Sequence, residues 1–196
     1  MFDFRNHGES DPSPSGGKTG VGLEEYLDVL AAMDYIEKSD RLRDKEVGFV
    51  SFCMGANSTI IAMSRHPEQF RKVKCLFAVQ PISMEVFVRT HLKRRFSTLG
   101  GRLLFPLVRK FVNWQSRYRL EDMSPAGFVK DIRVPTMYVQ TRNDPWTELS
   151  DILGFYENTQ APKEFFWIEG LRHRFQAYQY FGDNPEKMLS WLNKWM

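Results

Sequence analysis

The segment that most constrains the fold is Ser51-Phe52-Cys53-Met54-Gly55. It lies between Val47-Gly48-Phe49-Val50, a run of mainly β-favouring residues, and Ala56 to Met63, where Ile60, Ile61 and Met63 fall on one helical side. A strand must therefore pass into a helix through a very tight turn, which needs small side chains two residues either side of its apex. Ser51 and Gly55 supply them, and Cys53 stands at the apex, at a helix start. The partial positive charge of a helix start favours the thiolate, the form in which a cysteine reacts.

The same strand-then-helix alternation runs through much of the chain. Strands are expected at 1–4, 47–52, 73–80, 134–140 and 163–168, with helices at about 22–38, 54–65 and 147–158 and a terminal helix with Pro185 near its start. In the first helix Leu23, Tyr26, Leu27, Leu30, Met33 and Ile36 recur at helical spacing, after a turn-rich loop at Asp11 to Gly17. Such alternation argues for an α/β fold with a mostly parallel sheet and helices on both faces. Residues 82–132 interrupt it and are too long for a simple connection, so they read as a helical cap inserted between two parts of one α/β core, 1–81 and 133–196.

Four segments together resemble the α/β-hydrolase superfamily. The turn at Cys53 resembles its G-x-S-x-G nucleophile elbow, and the sulfur version resembles the dienelactone-hydrolase branch, with Ser51 departing from the usual glycine. Thr141-Arg142-Asn143-Asp144-Pro145-Trp146, after a strand, looks like the family's acid loop, and Glu169-Gly170-Leu171-Arg172-His173-Arg174-Phe175 looks like its histidine loop. Phe2-Asp3-Phe4-Arg5-Asn6-His7-Gly8-Glu9-Ser10 resembles the D-x-R-x-x-G-x-S loop that follows the family's fourth strand. The resemblance implies a triad in the family's order: Cys53 as nucleophile, Asp144 as acid and His173 as base. It also implies that the backbone N–H of Met54 stabilises the oxyanion, the second donor coming from a loop after the third strand.

No segment of this chain can be that loop. If residues 1–4 are the family's fourth strand, the first three strands are lacking and the chain is expected to be N-terminally truncated. In the family's sheet order this leaves the strand at 47–52 with an open edge, a pairing liability. Three consequences are open: a fragmentary product with impaired activity, a rearranged edge, or completion of the edge by another chain or a homo-oligomer.

Composition narrows the class. A chain of 196 residues with 42% hydrophobic and 26% charged residues can bury one sizeable core and carries no signature of disorder. No apolar run approaches the length of a membrane span, and the first residues lack the pattern of a signal peptide. Only Cys53 and Cys75 occur, which gives no disulfide framework and leads to an expectation of a cytoplasmic protein. Cys75, in Val73 to Val79, reads as a buried strand residue.

The net charge of +3 conceals an asymmetry. Between Val86 and Leu120 there are nine Lys or Arg and no Asp or Glu, which leaves 18 basic against 24 acidic residues elsewhere. Phe87, Phe96, Leu103, Leu104, Phe105, Leu107, Phe111, Trp114 and Tyr118 are interleaved with these cations. The mixture suits an apolar acyl substrate with an anionic group or contact with an anionic surface; equally, it suits an amphipathic helix pair packed on the core. No nucleic-acid-binding motif accompanies the charge.

Other chemistries find little support. His7 belongs to a structural loop, and His66 and His91 lack a nameable partner. No histidine or cysteine pair has metal-ligand spacing, and Gly16-Gly17-Lys18-Thr19-Gly20 lacks the spacing of a phosphate loop, so neither metal nor cofactor is expected. The expectation is a hydrolase acting on an ester or thioester through an acyl-enzyme. Its alternatives are an acyltransferase of secondary metabolism using the same triad, or a silent member of the fold acting as a binding partner.

Overall fold

The computed structural model describes residues 2–14, 16–171 and 174–196. Four strands, β1 (Val47–Phe52), β2 (Val73–Val79), β3 (Thr136–Thr141) and β4 (Lys163–Ile168), form one sheet in the order β1-β2-β3-β4, each neighbouring pair parallel. Parallel neighbours cannot be joined by a hairpin and need a crossover. The crossovers are α2 (Met54–Arg65), α3 (Met84–Gln115) and α4 (Leu149–Asn158); α1 (Tyr26–Lys38) precedes the sheet, and α5 (Gln176–Asp183) and α6 (Pro185–Trp195) follow it.

Both faces of the sheet are covered, as a parallel sheet requires. Side chains alternate along β2, so Leu76 and Ala78 pack with Met33 of α1, Ile60 of α2 and Phe155 of α4, while Cys75, Phe77 and Val79 face Phe181 of α5 and Trp191 of α6. Helix α2 is buried from Gly55 to Met63 rather than along one side. Ile60 therefore serves the core under the sheet, and Ile61 serves a separate cluster with Val21, Leu23, Ile82 and Met123.

Residues 2–4 do not form the expected strand. The Phe2-Asp3-Phe4 alternation is that of a strand, but a strand needs a hydrogen-bonded neighbour, and β1 pairs only with β2 among the described residues. The segment closes on its own loop instead. The Asp3 carboxylate accepts the N–H of Glu9 at 3.2 Å, and the Ser10 hydroxyl donates to the Asp3 carbonyl at 2.7 Å. Gly8 takes φ +54° where a Cβ would lie 2.1 Å from the Asp3 carboxylate, so any other residue would be strained and would push that carboxylate aside. The Arg5 guanidinium forks onto Asp28 of α1 at 2.8–3.1 Å. His7 Nδ1 lies 2.9 Å from the Arg5 carbonyl, within this loop. The outer edge of β1 stays open, bordered by a cleft of about 880 Å³ whose lining includes Phe2, Tyr35, Val47 and Phe49.

Helix α1 begins at Tyr26, later than its periodicity predicts, because Gly22 is held at φ +112° against α2, where a Cβ would lie 2.9 Å from that of Asn57. The fully buried Glu25 carboxylate ties this approach down, accepting the N–H groups of Gly20 (2.9 Å) and Gly22 (2.8 Å) and the Thr19 hydroxyl (2.8 Å). Asn57, also fully buried, donates to the carbonyls of Val21 (3.1 Å) and Ile82 (2.8 Å) and accepts the N–H of Ile82 at 3.0 Å. One amide thus joins the entry loop, α2 and the start of the region between β2 and β3.

That region is mainly α3, whose backbone breaks at Phe96 (φ −129°) and Ser97 (φ +64°) to give two helices, followed by 3-10 turns at Leu120–Asp122 and Val129–Asp131. The N–H and hydroxyl of Ser83 donate to Asp151 of α4 at 3.0 and 2.7 Å, fastening the start of α3. Replacing Asn57 by Ala strands three buried backbone groups, and we expect a loss of about 2–4 kcal/mol in urea unfolding. A loss below about 0.5 kcal/mol would show that these groups find other partners.

Candidate functional site

Cys53 occupies the turn between β1 and α2 at φ +49°, a left-handed conformation uncommon for a residue with a Cβ. Its N–H donates to the Val79 carbonyl of β2 at 2.8 Å, and its carbonyl accepts the N–H of Asn57 at 3.1 Å as the first bond of α2. The chain is thus pinned to the sheet on one side and to the helix on the other. Met54, the first residue of α2, carries a backbone N–H for which an α-helix offers no internal acceptor. Ser51, where the family has glycine, is accommodated: its hydroxyl lies 2.9 Å from that of Thr59, which donates to the Gly55 carbonyl.

The acid candidate arrives from two strands away. Asp144 follows β3, its side chain only 1% exposed, and Oδ1 accepts the N–H of Trp146 at 2.9 Å. Oδ2 accepts from Gln140 Nε2 at 3.0 Å and from the Thr147 hydroxyl at 3.1 Å. Three donors satisfy and orient this carboxylate, as burial of a charge demands.

Cys53 and Asp144 are connected by a residue that the sequence reading did not single out. Arg174, buried beside the first turn of α5, places Nη2 3.9 Å from Cys53 Sγ and 3.1 Å from the Gln80 carbonyl, and Nη1 3.5 Å from Asp144 Oδ2. The Nη1 contact is an ion pair without hydrogen-bond alignment, and Arg174 Nε and Nη1 find no acceptor among the described residues. Gln80 Oε1, Gln140 Oε1 and Trp146 Nε1 are likewise buried without a partner among the described residues. Most buried polar groups in proteins are bonded, so this gathering of them singles out this end of the sheet as the candidate site. The third triad candidate, His173, lies outside the described residues. The one sequence signal for Arg174 was its place beside that histidine; nothing local announces that an arginine will be buried.

Tyr178 of α5 completes the cluster. Burial pushes its phenol well above the ordinary value of 10.0, the nearby Cys53 raises it further, and Arg174 opposes both. Above the site, Trp146 stacks on Phe87 and His91 of α3, with ring centroids at 5.4 and 5.0 Å, and Arg174 lies 5.9 Å from the Phe87 ring. The side chain of Arg94 donates to the Pro145 carbonyl at 3.1 Å. The near half of α3 is therefore packed against the loop that carries Asp144. No group of three or more potential metal ligands occurs among the described residues.

No family model matches the chain. It is 23% identical over 177 residues to the Bacillus subtilis protein YqkD, covering 88% of this chain and 54% of that protein, so it spans about half the relative's length. It is also 23% identical to the acyltransferase drtE of Aspergillus calidoustus, covering 88% of this chain and 69% of that one. Among solved structures, the Pyrococcus furiosus esterase Pf2001 superposes with a TM-score of 0.66 at 22% identity, over 99% of this chain and 68% of the esterase. Likeness at this identity speaks to architecture, and the architecture shared is the α/β-hydrolase fold.

Two outcomes follow from the geometry. Cys53 is partly exposed, whereas Cys75 is fully buried and burial pushes its thiol up. Brief iodoacetamide treatment should add one group by intact mass, none in Cys53→Ala, and two only after unfolding. Labelling of native Cys53→Ala at the same rate would contradict the burial of Cys75. For Tyr178, both folded and unfolded chains hold the proton below the ordinary value of 10.0; above it only the unfolded chain ionises, so stability falls as pH rises. In urea unfolding above about pH 10, Tyr178→Phe should flatten this decline. An unchanged slope would mean that the phenol ionises as freely folded as unfolded.

Proposed function

We propose that this protein is an acyl hydrolase that cleaves an ester or thioester through the Cys53 thiol, with His173 as base, Asp144 as its orienting carboxylate and the Met54 N–H as an oxyanion donor. The observation that carries this reading is the left-handed turn at Cys53, which presents a thiol at a helix N-terminus at the sheet end where Asp144 and the unpartnered polar groups gather. In the proposed reaction His173 takes the thiol proton while sulfur forms a bond to the acyl carbon. The carbonyl electron pair moves onto oxygen, where the Met54 N–H meets it. Collapse breaks the bond to the leaving alcohol or thiol, which receives the proton from His173. Water, deprotonated by the same imidazole, then releases the acid and restores the thiol.

Arg174 gives this reading its distinctive feature. In this reading Asp144 serves both His173 and Arg174, and the 3.5 Å contact outside hydrogen-bond alignment ties the guanidinium to Oδ2 only weakly. A second reading rests on the same residue: left in place, Arg174 pairs with Asp144 and faces the sulfur, as suits a silent member of the fold that serves as a binding partner. Likeness to the acyltransferase drtE favours a variant of the first reading in which an acceptor other than water takes the acyl group. Of the cap at 82–132, Phe87, His91 and Arg94 lie near the Asp144 loop, which suits an acyl chain bearing an anionic group.

The decisive measurement is release from a chromogenic short-chain thioester and its ester counterpart. Wild type should turn over, and Cys53→Ala and His173→Ala should each lose about 10³-fold or more in kcat. Asp144→Asn should lose about 10²-fold or more. Equal rates for wild type and Cys53→Ala would remove the thiol from the mechanism, and no turnover in any variant would favour the silent reading.

A further inference from the structure

The break at Phe96 and Ser97 separates two helices with different tasks. The near one packs on the Asp144 loop. The far one, residues 98–115, has an inner side on which Gly101 and Phe105 are buried and Val108 and Val112 pack toward Leu92 and Leu120. Its other side leaves a second apolar row in solvent: Leu99 (69% exposed), Leu103 (69%), Leu107 (67%), Phe111 (56%) and Trp114 (78%). Their spacing of four, four, four and three residues makes one stripe, running about 22 Å at the rise of an α-helix. A stripe this long on a water-facing surface signals an interaction site.

The charges decide what covers it. Four nearby cations already have carboxylate partners: Arg89 with Glu85, Lys93 with Glu148, Arg117 with Glu24 and Arg119 with Glu121. Arg102, Arg109 and Lys110 are exposed and have no acidic partner among the described residues. Arg102 and Arg109, seven residues apart, stand on one flank of the stripe, and Lys110 falls at its border. If two copies packed stripe against stripe, these unneutralised cations would crowd together. An anionic lipid surface accepts both features, taking the Leu, Phe and Trp side chains below the headgroups and the cations among them. Outside residues 86–120 the chain has 18 basic against 24 acidic residues, so this acidic body would be held facing water. No helix among the described residues is long and apolar enough to cross a membrane, so this one lies in the surface.

We propose that residues 98–115 form an interfacial helix that docks the protein on an anionic phospholipid bilayer, whichever residues carry out the acyl chemistry. The test is sedimentation of the full chain with phosphatidylcholine vesicles, with and without about 30 mol % phosphatidylserine. We expect binding to the anionic vesicles and at least tenfold weaker binding to the neutral ones, by the roughly 1 kcal/mol per surface cation at three positions. Leu103→Glu with Leu107→Glu should abolish binding, and Arg102→Gln with Arg109→Gln and Lys110→Gln should weaken it more than about tenfold. All five side chains are exposed or solvent-facing, so circular dichroism should be unchanged. A blue shift of tryptophan emission on adding anionic vesicles should be lost in Trp114→Phe. Failure to sediment with either vesicle, or equal binding to both, overturns the proposal. Concentration-dependent dimerisation in light scattering, abolished by the leucine substitutions and without vesicle binding, would overturn it in favour of a second copy of the chain.

Discussion

The architecture turns on one strained junction. Holding Cys53 at φ +49° costs about 1–2 kcal/mol relative to an ordinary backbone, and such strain persists only where the surroundings over-determine it. Here the constraint comes from both sides: a sheet bond from the Cys53 N–H to Val79, and a helix bond from Asn57 to the Cys53 carbonyl. The helix cannot shift to relieve the turn, because it is buried from Gly55 to Met63 and the Asn57 amide is bonded to two further segments. Relaxing one dihedral would disturb three packed elements.

The same end of the sheet gathers the other polar groups. Gln80, just beyond β2, also has positive φ, at 52°, and offers its carbonyl to Arg174, while Gln140 at the end of β3 donates to Asp144. Parallel strands point their C-termini the same way, so residues distant in sequence meet there without any special device. Arg174 and Asp144, with side chains 2% and 1% exposed, form a buried ion pair in which the carboxylate accepts three hydrogen bonds, while Nε and Nη1 of the guanidinium find no acceptor among the described residues.

The region between β2 and β3 divides its work at a single break. The near half of α3 lays Phe87 and His91 against Trp146, and the far half carries exposed apolar and basic side chains away from the core. Both halves pack an apolar side inward, and the far half leaves a second apolar row in solvent. The mixture of aromatics and cations visible in the sequence belongs to both halves, and only the fold at Ser97 separates them.

Local pattern made much of the architecture legible. The strands at 47–52 and 163–168 and the helix at 54–65 lie where periodicity placed them, since alternation of burial is written into neighbouring residues. Of the strand expected at 1–4, residues 2–4 are not a strand, because pairing depends on a neighbour rather than on Phe2 and Phe4 themselves. The sequence by itself determined the turn at Cys53, the alternation of the four paired strands with helices and the charge asymmetry, all of which follow from side-chain size, period and composition. Tertiary structure alone decided that Arg174 would come to rest between Cys53 and Asp144. That contact joins positions 121 residues apart, and an arginine's burial depends on the groups around it, not on its immediate neighbours in the chain.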